Sequence, residues 1–365
     1  MKELSLPLPT WLQEEGPSSD TVLATKTCLS RNLSNVPFLP TSSEEHLAEV
    51  ASNVTEALEK LNLLNQFTLY SVEKLPSLAL RFFEEEGTLP EDFPREQRYL
   101  YIERGGRTLI TVNVVDHVRI ESRYGGLRVE EGFRAVKELD LKLEQEIEYA
   151  FSLEWGYLTT RLEDVGSGLS IKVLLHLPGL VLEKELESTQ QTLKEEGFLL
   201  RPLFLSTKAD NETIALGELY LLEDLRVAGR TEEEVCKKLE ERVGSLVHYE
   251  REKRQTALKE ERIALEDKIY RAWGVLERAR VLRLEEALDM LSLVRFGSCV
   301  GMLPVEFQTA IPSLMLESCP AHVWARMQEW KKGVVKKVDE ETEALERARY
   351  INHIFSKLEK GRERV

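Results

Sequence analysis

The stretch TVNVVDHVRI, from Thr111 to Ile120, gathers four chemically capable side chains within seven residues. These side chains are Asn113, Asp116, His117 and Arg119. A guanidinium binds phosphate through parallel hydrogen bonds, and a carboxylate or an imidazole transfers protons. Two valines, Val114 and Val115, interrupt the polar set. The pattern indicates either a site whose reactive centre is missing or a half-exposed strand that ends in polar residues.

Alternate residues of a strand share a face. If the stretch is one strand, its polar face carries Asn113, Val115, His117 and Arg119. On these residues alone, a strand with one side in water and a former active site with Arg119 as anion ligand both remain open. We expect His117 and His176 to make local hydrogen bonds rather than to act as catalytic bases.

Composition narrows the classes of function. The chain has 365 residues, 42% of them hydrophobic, so it can bury a sizeable core. Its formal net charge of -15 makes nucleic acid a poor partner. We expect no membrane span and no secretory signal, because long apolar runs are missing. Scattered cysteines without metal-ligand spacing predict reduced thiols in a cytoplasmic protein and no metal site: Cys28, Cys236, Cys299 and Cys319.

The elements that must position the polar stretch mix strands with helices. Residues 1–45 are rich in Pro, Ser and Asn and predict an extended arm with short ordered pieces. Periodicity predicts helices over 44–64, 132–151 and 180–196, a hairpin over 98–112, and strands over 170–180, 198–205 and 214–222. The mixture predicts an α+β fold, with a largely antiparallel sheet flanked by helices.

The composition changes after the last predicted strand. Residues 231–234, TEEE, match a helix-starting capping box, and long amphipathic helices follow to the C-terminus. We predict a boundary near residue 252. The predicted parts are an N-terminal arm over 1–20, the α+β domain over 21–252 and an all-helical domain over 253–365.

Four segments carry a resemblance to a known family: WLQEEGPSSDTVLATKTCLSRNL (11–33), NVVDHVRI (113–120), GYLTTRLEDVGSGLSIKVLLHLPGL (156–180) and LEDKIYRAWGVLERAR (265–280). In order and spacing, they resemble the bacterial protein arginine kinases of the ATP:guanido phosphotransferase, or phosphagen kinase, family. The resemblance is clear from Trp11 to about Leu303 and weak beyond. It implies a guanidino-kinase catalytic-type domain followed by a helical dimerisation and regulatory domain.

The resemblance also implies a chemistry, transfer of the γ-phosphoryl of ATP, with Mg²⁺, to a guanidinium nitrogen. Such transfer depends on positioning and on neutralising phosphate charge. Of five arginines that the family uses for this, Arg119 and Arg201 are retained, and Lys26 keeps the charge of a third without its fork. The other two positions hold Cys28 and Ser170. With one added lysine, the nucleotide-binding remnants are Lys26, Arg119, Ser170, Lys172 and Arg201.

The carboxylates that the family uses to hold the target guanidinium are replaced. Its motif N-E-E-D-H is N-V-V-D-H here, so Val114 and Val115 stand in their place, and strand parity turns Val115 to the substrate. Counting from Arg201, and across an insertion of about five residues, the second glutamate position is Ser206. Arg161 replaces a family cysteine. Burying a guanidinium against valines would cost several kcal/mol.

The family's helical domain implies a second pocket, which binds phosphoarginine through the motif R-D-x-x-R-A. The nearest match is EALERA, residues 343–348, where only Arg347 and Ala348 correspond. Glu343 stands at the position of the leading arginine, and a carboxylate there disfavours an anionic ligand. We interpret the pocket as degenerate.

We therefore predict a pseudokinase that has lost phosphotransfer and acts by protein–protein binding. The resemblance implies a homodimer through the helical domain, a small zinc-binding activator protein and a link to Clp proteolysis and heat-shock quality control. Two alternatives stay open. One is a divergent, active protein arginine kinase in which Glu163 and Asp164 replace the lost carboxylates. The other is a sensor that binds ATP without turnover.

Overall fold

The fold is that of a computed structural model, which describes residues 6, 10–39, 41–91, 93–207, 213–225, 229–331 and 339–362. Eight strands form one sheet in the order β2-β3-β4-β5-β1-β8-β12-β9. They are β1 (Val22–Arg31), β2 (Phe67–Ser71), β3 (Tyr99–Glu103), β4 (Thr108–Val112), β5 (Val118–Gly125), β8 (Leu169–His176), β9 (Phe198–Pro202) and β12 (Leu219–Asp224).

Two short ribbons lie outside this sheet. They pair β6 (Phe151–Ser152) with β7 (Gly156–Tyr157), and β10 (Leu205–Thr207) with β11 (Thr213–Ala215). All strand pairs in the described ranges run antiparallel. The predicted α+β fold class and the hairpin over 98–112 are confirmed.

Helices cover the sheet and form the C-terminal region. They are α1 (Glu44–Lys60), α2 (Ser77–Glu85), α3 (Val129–Glu144), α4 (Pro178–Leu182), α5 (Leu186–Glu195), α6 (Glu232–Glu260), α7 (Arg262–Arg278), α8 (Leu284–Cys299), α9 (Glu306–Glu317), α10 (Pro320–Lys331) and α11 (Glu340–Arg362). The capping box at the start of α6 is present, with the Thr231 side chain accepting from the Glu234 N–H. No helix in the described ranges combines the length and apolarity that a membrane crossing requires.

Two hydrophobic cores divide the packing. One lies between the sheet and helices α1, α3 and α6, with Val50, Val136 and Leu239 among its buried members. The other joins helices α7, α8, α9 and α11, and it includes Leu23 and Leu219 from the sheet. The predicted domain boundary near residue 252 falls inside helix α6, which runs from Glu232 to Glu260. The boundary stays a prediction.

The prediction of an extended arm over residues 1–45 was wrong for the residues of β1. This ten-residue strand pairs with β5 on one side and with β8 on the other, so it is central to the sheet. Prolines and polar residues flank it, but none of the thirteen prolines falls inside it. Its polar and apolar residues do not alternate, because Thr25, Lys26 and Thr27 are consecutive, so the period of a strand is hidden in its sequence.

The stretch from Thr111 to Ile120 is not one strand, which is a second correction. Strand β4 ends at Val112, β5 begins at Val118, and residues 113–117 connect them. Asn113 adopts φ +61°, and its amide side chain donates to the Leu47 carbonyl at 2.8 Å. An asparagine tolerates this left-handed conformation better than most residues. The parity argument that turned Val115 toward substrate was therefore wrong.

The helix predicted over 180–196 is two helices. Helix α4 ends at Leu182 and α5 begins at Leu186, with Lys184 between them at φ +58°. The strand before it ends at His176 instead of continuing to residue 180. Apolar periodicity alone did not reveal the break because both helices turn leucines inward.

A buried ion pair ties β1 to α3 and to the loop after β7. The guanidinium of Arg31 lies 2.7 Å from Asp140, and neither side chain is exposed. The same guanidinium donates to the Ser167 carbonyl at 2.8 Å and stacks over the ring of Tyr157 at 3.6 Å. One buried cation thus holds three separate segments together.

We predict that Asp140→Asn lowers the free energy of unfolding by about 3–5 kcal/mol, because it leaves Arg31 buried beside no anion. Urea unfolding followed by tryptophan fluorescence measures this. Glu138→Gln is the matched control on the same helix, where an exposed pair with Lys142 contributes little. Equal losses in the two variants would contradict the assigned role of the buried pair.

Candidate functional site on the polar face of the sheet

Directly opposed residues of antiparallel strands project from the same face. Arg123, Lys26, Lys172 and Glu223 form one such row across β5, β1, β8 and β12. The next row contains Glu121, Cys28 and Ser170, and a third contains Arg119 and Ser30. The structure therefore brings together on one face Lys26, Arg119, Ser170 and Lys172, four of the five predicted nucleotide-binding remnants.

The first row places three cations opposite one another. Such like-charged neighbours repel unless anions or solvent compensate. Arg123 meets Glu121 at 2.6 Å and Glu86 at 3.5 Å. Burial, with Arg123 adding to it, lowers the pKa of Lys26 to about 7. The Lys26 side chain donates a hydrogen bond to the backbone carbonyl oxygen of Glu86 at 2.6 Å, not to a carboxylate.

Glu223 compensates the other end of the row. One of its carboxylate oxygens lies 3.5 Å from the Lys172 ammonium and 3.2 Å from the Arg201 guanidinium. Arg201 itself is exposed, at the end of the sheet formed by β9. A single carboxylate thus contacts two of the predicted nucleotide-binding remnants and offsets one of their two positive charges.

Arg119 has a different environment. Its Nε donates to the sulfur of Cys28 at 3.0 Å, and burial raises the pKa of that thiol. Burial opposes ionisation of Glu121, but Arg123, Lys26 and Arg119 outweigh it and lower the pKa of that carboxyl. Glu121 is therefore an anion on the face where phosphate oxygens would be held.

The residues that follow the two valines have structural partners. Asp116 accepts from Asn32 at 3.0 Å and from the Thr160 N–H at 2.7 Å. The Nδ1 of His117 accepts from the Leu33 N–H at 3.1 Å. Burial and the nearby Arg295 hold the pKa of His176 well below its usual value. The Nε2 of His176 lies 2.7 Å from the Ser292 hydroxyl. Both histidines thus make hydrogen bonds, but with partners that are distant in the chain.

The positions predicted for the guanidinium carboxylates lie apart. Val114 packs against a smaller apolar cluster that includes Phe83 of α2 and Ala321 of α10. Val115 is half-buried in the connection between β4 and β5. Ser206 lies opposite Ile214 in the β10–β11 ribbon. Arg161 is exposed, so it is not buried in a substrate pocket. None of these side chains supplies a carboxylate.

Asp164, in the connection between β7 and β8, is a carboxylate near Arg119. Burial raises its pKa to about 6, and the charge of Arg119 acts in the opposite direction. Glu163, its neighbour, is exposed. Arg119 and Arg201 stand four strands apart in the sheet, roughly 19 Å at the usual strand spacing. The acids beside them therefore do not converge on one substrate.

Sequence reasoning missed Glu86, Glu121 and Glu223. Glu121 follows Arg119 by two residues, so strand alternation could have placed both on one face. Glu86 and Glu223 come from a helix end and a distant strand. Their approach depends on pairing that no local pattern specifies.

The second predicted pocket, around Arg347, is filled from within. Its guanidinium donates to the carbonyls of Ser318 and Leu282, at 2.6 and 3.0 Å, and to the carboxylate of Glu343. Trp324 donates to the same carboxylate at 3.0 Å. Arg347 is 1% exposed and Ala348 is fully buried. This arrangement favours a structural role for the EALERA motif.

Comparisons with known proteins agree with the two-part organisation. Residues 49–253 match the model described as ATP:guanido phosphotransferase, C-terminal catalytic domain. Residues 262–364 match the model described as Protein-arginine kinase McsB C-terminal domain.

Curated relatives extend the match over most of the chain. A protein-arginine kinase of Bacillus mycoides is 28% identical over 313 residues, which cover 85% of this chain and 87% of the relative. One from Symbiobacterium thermophilum is 29% identical over 316 residues, covering 85% and 88%.

Solved structures share the fold. The duplicated taurocyamine kinase of Schistosoma mansoni aligns with TM-score 0.55 and 20% identity, over 68% of this chain and 34% of that one. This chain thus spans about a third of the duplicated enzyme. A lombricine kinase aligns with TM-score 0.54 and 18% identity, over 71% and 73% of the two chains.

We predict that Glu223→Gln gives a saturable calorimetric signal with inorganic tripolyphosphate where the parent protein gives none, because it frees Lys172 and Arg201 from their shared anion. Isothermal titration calorimetry measures the change. Glu241→Gln is the control, since it removes the same charge from an exposed pair with Lys237. An equal gain in both variants would show that net charge alone governs binding.

Proposed function

Because the chain belongs to the ATP:guanido phosphotransferase family, in its bacterial protein-arginine-kinase branch, we propose that it is a pseudokinase that acts by binding other proteins. The observation that carries the proposal is the charge balance of the polar face. Arg123 is already paired with Glu86 and Glu121, and Lys172 and Arg201 share Glu223. Arg119 contacts the Cys28 sulfur, and Lys26 donates to a backbone carbonyl. The family's guanidinium-binding positions meanwhile hold valines.

Phosphoryl transfer requires cations that are free to meet phosphate oxygens as charge develops on them. A triphosphate on this face would approach Glu121 and Glu223, and it would have to displace them from their partners. The residues present therefore do not fit a magnesium–polyphosphate group. Each lost preorganised group typically slows catalysis by about a hundredfold or more. Three arginine forks and two carboxylates are replaced at once.

One observation favours a second candidate, a divergent but active protein arginine kinase. Asp164 lies near Arg119 with a pKa of about 6, so it can accept a proton near neutral pH. It is a single carboxylate, whereas the family uses two. A third candidate, an ATP-binding sensor, rests on the partial exposure of Lys172 and Arg201, whose side chains are 31% and 44% exposed.

The family resemblance supports a proposal for the binding partners and the cellular location. They are a homodimer formed through helices of the C-terminal region, a small zinc-binding activator protein, and Clp-dependent quality control in the cytoplasm. The formal net charge of the chain, -15, suits partners that carry basic surfaces.

We predict that the protein produces no phosphoarginine on an arginine-rich protein substrate with Mg-ATP, as measured by mass spectrometry under phosphoarginine-preserving conditions. The Bacillus mycoides relative, assayed in parallel, serves as the positive control. Val115→Glu is also expected to stay inactive, because it restores one carboxylate and leaves the cations paired. Phosphoarginine from the unmodified protein would overturn the proposal.

Two further variants separate the candidates. If the protein is a divergent kinase, Asp164→Asn lowers its rate at least a hundredfold, and Glu163→Gln, on the exposed neighbour, leaves it unchanged. Under the pseudokinase proposal, both variants and the parent are equally inactive. Calorimetric titration with Mg-ATP is expected to give no saturable heat, and a saturable signal without turnover would support the sensor.

A further inference from the structure

The β6–β7 hairpin exposes three large apolar side chains within five residues. Phe151 is 57% exposed, Leu153 101% and Trp155 61%. Single exposed apolar residues are ordinary, but a cluster that includes a tryptophan at a hairpin tip is typical of an interaction surface. We call these three side chains the apolar finger.

The finger is fixed to the body of the protein. The ring of Phe151 packs edge-on against Tyr157 at 5.3 Å, and Tyr157 also stacks on the buried Arg31 at 3.6 Å. Tyr157 exchanges backbone hydrogen bonds with Gly166, at 2.8 and 3.1 Å. Its hydroxyl donates to Glu144 at 2.6 Å. A preorganised anchor loses little conformational entropy when it binds, which favours affinity.

Carboxylates flank the finger along the chain, and one of them, Glu144, accepts from the Tyr157 hydroxyl beside it. Four of them are exposed within residues 141–156: Glu144, Glu146, Glu148 and Glu154. Lys142 is the one cation in this range, and it binds Glu138 at 2.7 Å. Lys60 reaches Glu146 at 3.3 Å. The rim therefore keeps an excess of negative charge around an apolar centre.

This combination selects the chemistry of a partner. An apolar centre with an acidic rim complements a surface with an apolar stripe between basic side chains. Two copies of this chain would instead bring two acidic rims together, and each copy has a net charge of -15. Charge thus disfavours self-association through the finger.

We propose that the apolar finger and its acidic rim bind a basic amphipathic segment of a partner protein. The segment packs its apolar side on Phe151, Leu153 and Trp155, and its lysines and arginines meet the glutamates of the rim. This inference rests on the proposed function, because it names the surface through which the pseudokinase acts. It uses no residue of the polar face.

The test uses the full chain and a fluorescein-labelled amphipathic peptide, LKKLLKLLKKLLKLLKKL, with binding followed by fluorescence anisotropy. Leu153→Ser/Trp155→Ser is expected to raise the dissociation constant at least tenfold. The same peptide with glutamate for lysine is expected to bind at least tenfold more weakly than the original. Ile263→Ser/Val305→Ser alters two other exposed residues, 85% and 65% exposed, and is expected to change binding less than twofold.

Several outcomes overturn the inference. They are equal binding by the finger variant, an equal loss in the control variant, and equal binding of the glutamate peptide. Self-association that the finger variant abolishes, seen by sedimentation, would make a second copy the occupant and would also overturn it. Thermal unfolding checks that both variants fold like the parent. If the parent protein does not bind the peptide and also makes no phosphoarginine, the inference about the finger is rejected. The pseudokinase proposal then still stands.

Discussion

Repulsion among Arg123, Lys26 and Lys172 is the constraint on which the polar face depends. These residues stand directly opposite one another on three adjacent strands, about 5 Å apart at the backbone. A nucleotide-binding face can leave such repulsion for its ligand to relieve. Here Glu86, Glu121 and Glu223 relieve it from within.

One of these carboxylates, Glu86, also connects the sheet to the C-terminal helices. Glu86 approaches Arg123 at 3.5 Å and His322 at 4.0 Å, and the adjacent Glu85 accepts from the Ala321 N–H at 2.8 Å. The ring of His322 stacks on Phe82 at 4.0 Å. Charge compensation on the face and docking of α10 against α2 therefore share one short segment. A change in either would be felt in the other.

The parts of this arrangement that follow local rules could be predicted from the sequence. Strand alternation and the turn at Gly105–Gly106 predicted β3 and β4, and the TEEE box predicted the start of α6. The family resemblance grouped Lys26, Arg119, Ser170 and Lys172 as nucleotide-binding remnants, and strand pairing places them on one face. The identity of their partners could not be predicted, because Glu86 and Glu223 arrive by pairing between distant segments. The Asn113 turn was missed since its geometry depends on the Leu47 carbonyl, far away in the chain.

The internal anions of the polar face have one electrostatic consequence. Among the described side chains of the polar face, five cations stand beside four carboxylates: Lys26, Arg119, Arg123, Lys172 and Arg201 against Glu86, Glu121, Asp164 and Glu223. A face this near to neutrality needs no bound polyphosphate to be stable. Strand β1, which carries Lys26, also carries the buried Arg31 that anchors the apolar finger. Arg31 makes its contacts with Asp140, Ser167 and Tyr157, so no residue of the polar face is needed to hold the finger in place.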